Sequence, residues 1–280
     1  MGFVYSAAIG VFWFGRLANT WHHGLVARWW SEFNRDWRGS EIEYFKNVIE
    51  RYGQPALDVG CGTGRILVPC VEAGIEVHGT DISNEMIRLC RARLISLGLD
   101  ADLTVTPTHE LNLGQRYRTI ISCGVFGVGT TREEDLDGLR RIRKHLTPGG
   151  CLIFDFYLPG ENLNEWSIWS KRARPTLPSR WTKPDVRKTS DNDELALQTR
   201  TIEFDPMEQY SVREIRMKQY EDQELVNCHQ YRIRLNSYFK NEILLMLNVA
   251  GFDQVEMYAG LSDVKPAAYE DYQLMVSARV

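Results

Sequence analysis

The densest concentration of chemically capable residues is the run Asp58-Val59-Gly60-Cys61-Gly62-Thr63-Gly64, which joins a short apolar segment to a stretch with helical spacing. A strand, a glycine turn and a helix N-terminus together present backbone N–H groups to a polar or anionic ligand. Gly60 and Gly62 let a ligand approach the backbone, and Gly64 permits the sharp turn into the helix. The spacing is G-x-G-x-G. A dinucleotide fingerprint requires G-x-G-x-x-G, and Arg65 stands where its third glycine belongs. Asp81 closes the next apolar segment, where a carboxylate can accept both hydroxyls of a ribose, and Ile82 follows, placed against an adenine face.

Such groups need a sheet to hold them. Ala56 to Val59 and Ile75 to Thr80 read as buried strands, and residues 64–73 read as a helix in which Pro69 costs a backbone bond or a kink. Ser83 caps a helix through Leu97, with Ile87, Cys90, Leu94 and Leu97 inward. Further strands follow at 103–106 and 119–123. Thr131-Arg132-Glu133-Glu134 has the form of a capping box opening another helix, which Thr147-Pro148-Gly149-Gly150 ends. Cys151 to Phe156 makes a fifth strand, and strand alternating with helix implies a parallel sheet. After Pro159 the pattern changes. Prolines and three tryptophans interrupt 160–190, and 194–235 reads as an antiparallel three-strand meander. A helix over 237–250 and two strands, 254–259 and 272–278, close the chain. Residues 22–52 read as helical, broken near Gly39.

Composition narrows the function classes. A net charge of −4 over 280 residues gives no basic footprint for nucleic acid. The apolar run at 1–21 reaches only to Arg16 before a charge, too short to span a membrane, and reads as a helix packed on the domain. Six cysteines without a C-x-x-C pair suit neither zinc nor a disulfide framework, so no metal is expected and a reduced cytoplasmic location is.

The run ALDVGCGTGRILVPCVEAGIEVHGTDISNEMIRLC resembles the first two motifs of the class I S-adenosylmethionine-dependent methyltransferases, with supporting features over 56–158. More narrowly, the chain is similar to bacterial small-molecule methyltransferases with an antiparallel insert after the fifth strand. The resemblance implies an α/β fold: a doubly wound, seven-stranded, mostly parallel sheet with that insert and an N-terminal helical cap. It divides the chain into a cap (1–52), a cofactor-binding core (53–160), a lid and insert (161–236) and the rest of the core sheet (237–280). It places Gly60 and Gly62 along the methionine part of S-adenosylmethionine, with Cys61 and Gly64 also in the cofactor-binding loop and Asp58 toward its ammonium. Asp81 would take the ribose diol, Ile82 and Met86 the adenine faces, Thr108, His109 and Glu110 the adenine edge, and Cys123 the sulfonium. Many relatives carry an Asp just before the adenine contact. Here that position is Pro107, so the adenine amine would be bound by backbone or by Glu110.

Methyl transfer is an in-line displacement from a positively charged sulfur, and alignment supplies most of the rate. A base is needed only where the acceptor must first lose a proton. No fixed catalytic motif appears, and the Asn/Asp-Pro-Pro-Tyr/Phe sequence of nucleic-acid and protein amine methylation is absent. His23 and Tyr157 are the expected base and orienting pair, with Trp29, Trp30 and Tyr231 contacting a small-molecule acceptor at oxygen or nitrogen. Two copies would pair through the insert or the N-terminal helix. The competing readings are a non-catalytic S-adenosylmethionine-binding protein and a nicotinamide-dependent oxidoreductase.

Overall fold

The computed structural model describes residues 21–34, 39–159, 166–262, 264–268 and 271–280. In chain order the elements are α1 (Leu25–Phe33), α2 (Ser40–Tyr52), β1 (Ala56–Val59), α3 (Leu67–Glu72), β2 (Val77–Asp81), α4 (Asn84–Ser96), β3 (Leu103–Val105), β4 (Tyr117–Ser122), α5 (Arg132–His145) and β5 (Leu146–Tyr157). Then come β6 (Asp185–Lys188), β7 (Glu194–Asp205), β8 (Tyr210–Glu221), β9 (Glu224–Asn236), α6 (Lys240–Ala250), β10 (Gln254–Ala259) and β11 (Gln273–Arg279). The main sheet runs β10-β11-β5-β4-β1-β2-β3, with β11 antiparallel to both neighbours and the pairs from β5 to β3 parallel. Strand order reverses between β1 and β4, and ligands of open α/β sheets bind at that reversal, beyond the carboxyl ends of the strands.

Helices cover both faces. Phe45, Val48 and Ile49 of α2 pack with Leu67 and Val68 of α3 and Cys90 and Leu94 of α4 on one side. Leu139 and Ile142 of α5 and Ile243 and Leu247 of α6 pack on Leu57, Ile120, Leu152 and Val276 on the other. A third core lies outside the sheet, where Leu25, Val26 and Trp29 of α1 bury against Leu195, Ile215, Met217, Tyr231 and Ile233 of the antiparallel sheet β6-β7-β8-β9. The two N-terminal helices therefore divide their packing: α1 rides on the insert and α2 on the main sheet.

Local differences from the sequence reading have simple causes. The helix after the glycine loop begins only at Leu67, so Pro69 falls in its first turn, where a missing N–H leaves no bond unmade. β5 begins at Leu146 because an irregularity opposite Tyr117 and Thr119 absorbs Thr147-Pro148-Gly149-Gly150. Leu97 lies just past the end of α4 and is 48% exposed rather than inward. The insert gains a fourth strand, β6, whose four residues are all exposed and so carry no alternation to read. Both caps form as expected: Ser83 accepts from Met86 N–H, and Thr131 with Glu134 makes the capping box. Residues 1–20 lie outside the described residues; among the described ones no helix is long and apolar enough to cross a membrane.

Candidate active site

β1 is buried along its whole length and delivers Asp58 to the strand reversal. The loop beyond it turns through three left-handed glycines, Gly60 (φ +76°), Gly62 (φ +55°) and Gly64 (φ +81°), for different reasons. A Cβ on Gly60 would overlap Val125 Cγ2, and one on Gly64 would sit 2.7 Å from Val68 Cγ2. Around Gly62 nothing lies within 4 Å. Gly60 and Gly64 are closed in by protein; Gly62 faces open space.

Asp81 fixes that loop. Its Oδ2 accepts the Gly62 N–H at 2.9 Å and its Oδ1 accepts the Ser83 N–H at 2.8 Å. An ionised carboxylate has about four lone-pair positions. Each oxygen thus keeps capacity for a further donor, such as one hydroxyl of a vicinal diol. Burial raises the Asp81 carboxyl, and the two backbone N–H groups oppose it. Asp58 is only 2% exposed and has no cation beside it among the described residues. Burial, reinforced by repulsion from Asp81, pushes its carboxyl up to about 7, against one backbone N–H from Leu67.

Both carboxylates open on a cavity of about 810 Å³. On the β2–β3 side it is lined by Ile82, Met86 and the segment from Val105 to Glu110, which includes one turn of 3₁₀ helix, Thr108–Glu110. His109 Nδ1 there is buried and without a partner. On the β4 side lie Cys123, Gly124 and the loop through Thr131. Gly124 N–H donates to Asp155 Oδ1 at 2.7 Å, and burial with the Asp155 charge pushes the Cys123 thiol up to about 12. The segment before α1 crosses the mouth of the cavity. Ser83 Oγ donates to the His22 carbonyl, and Gly24 N–H donates to Glu85 Oε2 at 2.8 Å. Trp21, His22, Trp30 and Asn34 then line the cavity from that side, and Ile233 and Arg234 from the insert. Burial, with His23 beside it, drives the His22 imidazole down to about 4, so it is neutral near pH 7.

Of the residues singled out in the sequence, Asp58, Gly60, Cys61, Gly62, Asp81, Ile82, Met86, Thr108, His109, Glu110, Cys123 and Trp30 line one cavity. Five do not. Gly64 packs on Val68 and Cys90. His23 lies edge-on to Tyr231 at 4.9 Å, and burial lowers its imidazole. Tyr231 and Trp29 are each 6% exposed in the core between α1 and the insert. Tyr157 is 48% exposed beside Tyr272, with its hydroxyl accepting from Gln273 Nε2 at 2.9 Å and raised by burial to about 12. His23 faces the insert while Tyr157 lies at the C-terminal end of β5, opposite Gln273 of β11, so the structure does not bring the expected base and orienting pair together. Trp21, Asn34, the 125–130 loop and Arg234 are lining residues that no local sequence signal marks.

Residues 57–152 match the model of a methyltransferase domain family. This part of the chain is a methyltransferase domain. A putative methyltransferase of Bacillus subtilis, YqeM, is 30% identical over 105 residues, which is 36% of this chain and 41% of that protein. A ubiquinone biosynthesis O-methyltransferase of Azoarcus sp. is 31% identical over 137 residues, 46% of this chain and 58% of the relative. The chain thus spans less than two thirds of the length of either. Among solved structures, an S-adenosylmethionine-dependent methyltransferase from Clostridium acetobutylicum superposes with a TM-score of 0.68 at 14% identity, covering 91% of this chain and 97% of that one. That likeness extends the fold of the domain over nearly the whole chain, insert included. The nicotinamide-dependent reading finds no support in these matches.

Proposed function

We propose that the protein binds S-adenosylmethionine and transfers its methyl group to an oxygen or nitrogen atom of a small-molecule metabolite by in-line displacement. The observation that carries this reading is Gly62 facing open space between two buried carboxylates, neither paired with a cation among the described residues. A ligand with an ammonium group and a ribose diol on either side of that glycine complements both. Asp58, at about 7 while unpaired, is returned to its ionised form by an ammonium. Asp81, held by Gly62 and Ser83, is oriented to accept two hydroxyls. Ile82 and Met86 supply apolar contact to the base, and Thr108, His109 and Glu110 border its edge.

When bound, the cofactor supplies an electrophilic methyl group on a sulfonium. The chain's own contribution is alignment and exclusion of water. Cys123 and Gly124 form the wall beside the transfer path, and the uncharged Cys123 thiol offers that centre no competing nucleophile. His22 and Trp30 close the cavity from the N-terminal side. We assign the role of lid to residues 21–34 and the insert 161–236, and that of cofactor core to 53–160 with 237–280, onto which α2, expected as part of the cap 1–52, packs instead. The Azoarcus relative, whose name places it on a small molecule, supports an acceptor of that class. Six free cysteines suit a reducing cytoplasm.

Calorimetry with S-adenosylhomocysteine and with NAD tests the reading. Binding of the first and not the second is expected, and the reverse overturns it. Transfer of a labelled methyl group into a metabolite extract separates an enzyme from a protein that only binds the cofactor.

A further inference from the structure

Arg213, Arg216 and Arg234 of the insert have no carboxylate partner among the described residues, and of these Arg234 lines the cavity. Arg200 and Arg232 both pair with Glu214, Arg28 pairs with Asp191 and Asp193, Arg187 with Asp185, and Arg132 with Glu242. The Arg234 guanidinium is nevertheless fixed. The central carbon lies 3.7 Å from the centre of the Tyr210 ring, and Nε donates to Asn236 Oδ1 at 3.0 Å. Stacking and the Nε bond set the plane of the fork and leave both terminal nitrogens unclaimed. A guanidinium held in that way has given up rotamer freedom before any ligand arrives.

Its place is on the β4 side of the cavity, away from the carboxylates that suit the cofactor. The Arg234 carbonyl accepts the Gly129 N–H at 2.7 Å, and Asn236 N–H donates to the Gly127 carbonyl at 2.8 Å. The end of β9 is thereby stitched to the loop that follows Cys123 and Gly124. Asn236, the anchor of Arg234, in turn donates to Asp135 Oδ2 at 2.8 Å and to the Thr130 carbonyl at 3.0 Å. Asp135 and Thr130 also line the cavity. Asp135 is the natural candidate to neutralise Arg234, but its capacity is taken. It accepts from Gly127 N–H, Thr130 Oγ1, Asn236 Nδ2 and Tyr238 OH. From the other side α1 adds the Trp30 ring. At this end of the cavity the two terminal nitrogens of Arg234 are left without an acceptor among the described residues.

We propose that the methyl acceptor carries an oxyanion, a carboxylate or a phosphate, and that Arg234 selects it through a two-point contact. The inference rests on the methyltransferase reading. It adds the charge class of the acceptor to it.

The test uses the full chain saturated with S-adenosylhomocysteine at low salt, titrated separately with benzoate, inorganic phosphate and neutral benzamide, in wild type, Arg234→Lys and Arg234→Gln. Thermal stabilisation or heat of binding with benzoate or phosphate is expected in wild type, and benzamide is expected to give none. The stronger of the two anions identifies the planar or the tetrahedral group. In Arg234→Gln the anion affinity falls on the order of ten-fold or more, and Arg234→Lys lies between, because a point charge lacks the fork. Affinity for S-adenosylhomocysteine stays the same in all three proteins, which also shows that the variants fold. No anion response in wild type, or an equal response in Arg234→Gln, overturns the inference. Failure of wild type to bind S-adenosylhomocysteine overturns the parent reading instead.

Discussion

Replacing Asp58 by Asn removes the charge that the cavity holds at greatest cost. The Asp58 carboxyl rises from the usual 3.8 to about 7 in the folded protein. At about 1.4 kcal/mol for each ten-fold change in proton affinity, ionised Asp58 opposes folding of the ligand-free chain by on the order of 4 kcal/mol. A folded-state value above the unfolded one means that the folded chain keeps a proton the unfolded chain has released. Stability therefore falls as pH rises from about 4 to about 7 and is level in this respect above that. The neutral amide of the Asp58→Asn variant has no such dependence, and its side-chain oxygen still accepts the Leu67 N–H. Thermal melts of the ligand-free proteins should thus coincide near pH 4 and separate as pH rises. By pH 8 Asp58→Asn should melt roughly 8 °C higher, at about 2 °C per kcal/mol for a chain of this size. The same variant should bind S-adenosylhomocysteine ten-fold or more weakly, because the ammonium loses its counter-charge. Melting curves that stay parallel across this pH range would show that the Asp58 charge is not strained. Unchanged affinity would remove its role toward the ammonium.

Two contrasts and one control complete the test of the donor side. Asp81→Ala should cost ten-fold or more in S-adenosylhomocysteine affinity by calorimetry, and it also strands the Gly62 and Ser83 N–H groups that now donate to it. Gly62→Ala should lower stability by only about 1–2 kcal/mol, the cost of a left-handed L-residue, while abolishing most cofactor affinity, because its Cβ enters the open cavity. Gly60→Ala should be the more destabilising of the two, its Cβ colliding with Val125; equal denaturant midpoints would contradict that geometry. Tyr238→Phe removes one donor from Asp135 and should cost about 1 kcal/mol in urea unfolding while leaving cofactor affinity unchanged.

The half of the cavity that we assign to the methyl donor was legible as structure because its parts are local. The glycine loop, Asp81 and the Ser83 cap occur within 26 consecutive residues, 58–83, and each follows from turn chemistry or a strand end that has one solution. The acceptor side depends on which way a side chain points after distant segments meet. Trp29 and Trp30 are indistinguishable as sequence, yet successive helical positions differ by about 100°. Trp29 turns into the core with the insert and Trp30 onto the cavity. Alternation along β9 was equally visible, but it does not say which face meets the site. Tyr231, chosen for its type, packs against α1, although Ile233 on the same face reaches the cavity. Arg234 falls on the opposite face with Asn236, which reaches Thr130 and Asp135 about 100 residues earlier in the chain. That contact exists only because β9 ends against the loop after β4, a consequence of how the insert is seated and not of any spacing within it. The same division carries a functional argument. In the proposed reading, a methyl donor common to many enzymes is held by a contiguous motif, and the acceptor is read by residues that the insert and α1 bring in from outside the core sheet. Exchanging the insert should therefore change the acceptor and leave S-adenosylhomocysteine binding intact, since Asp58, Gly62 and Asp81 belong wholly to the sheet beneath it.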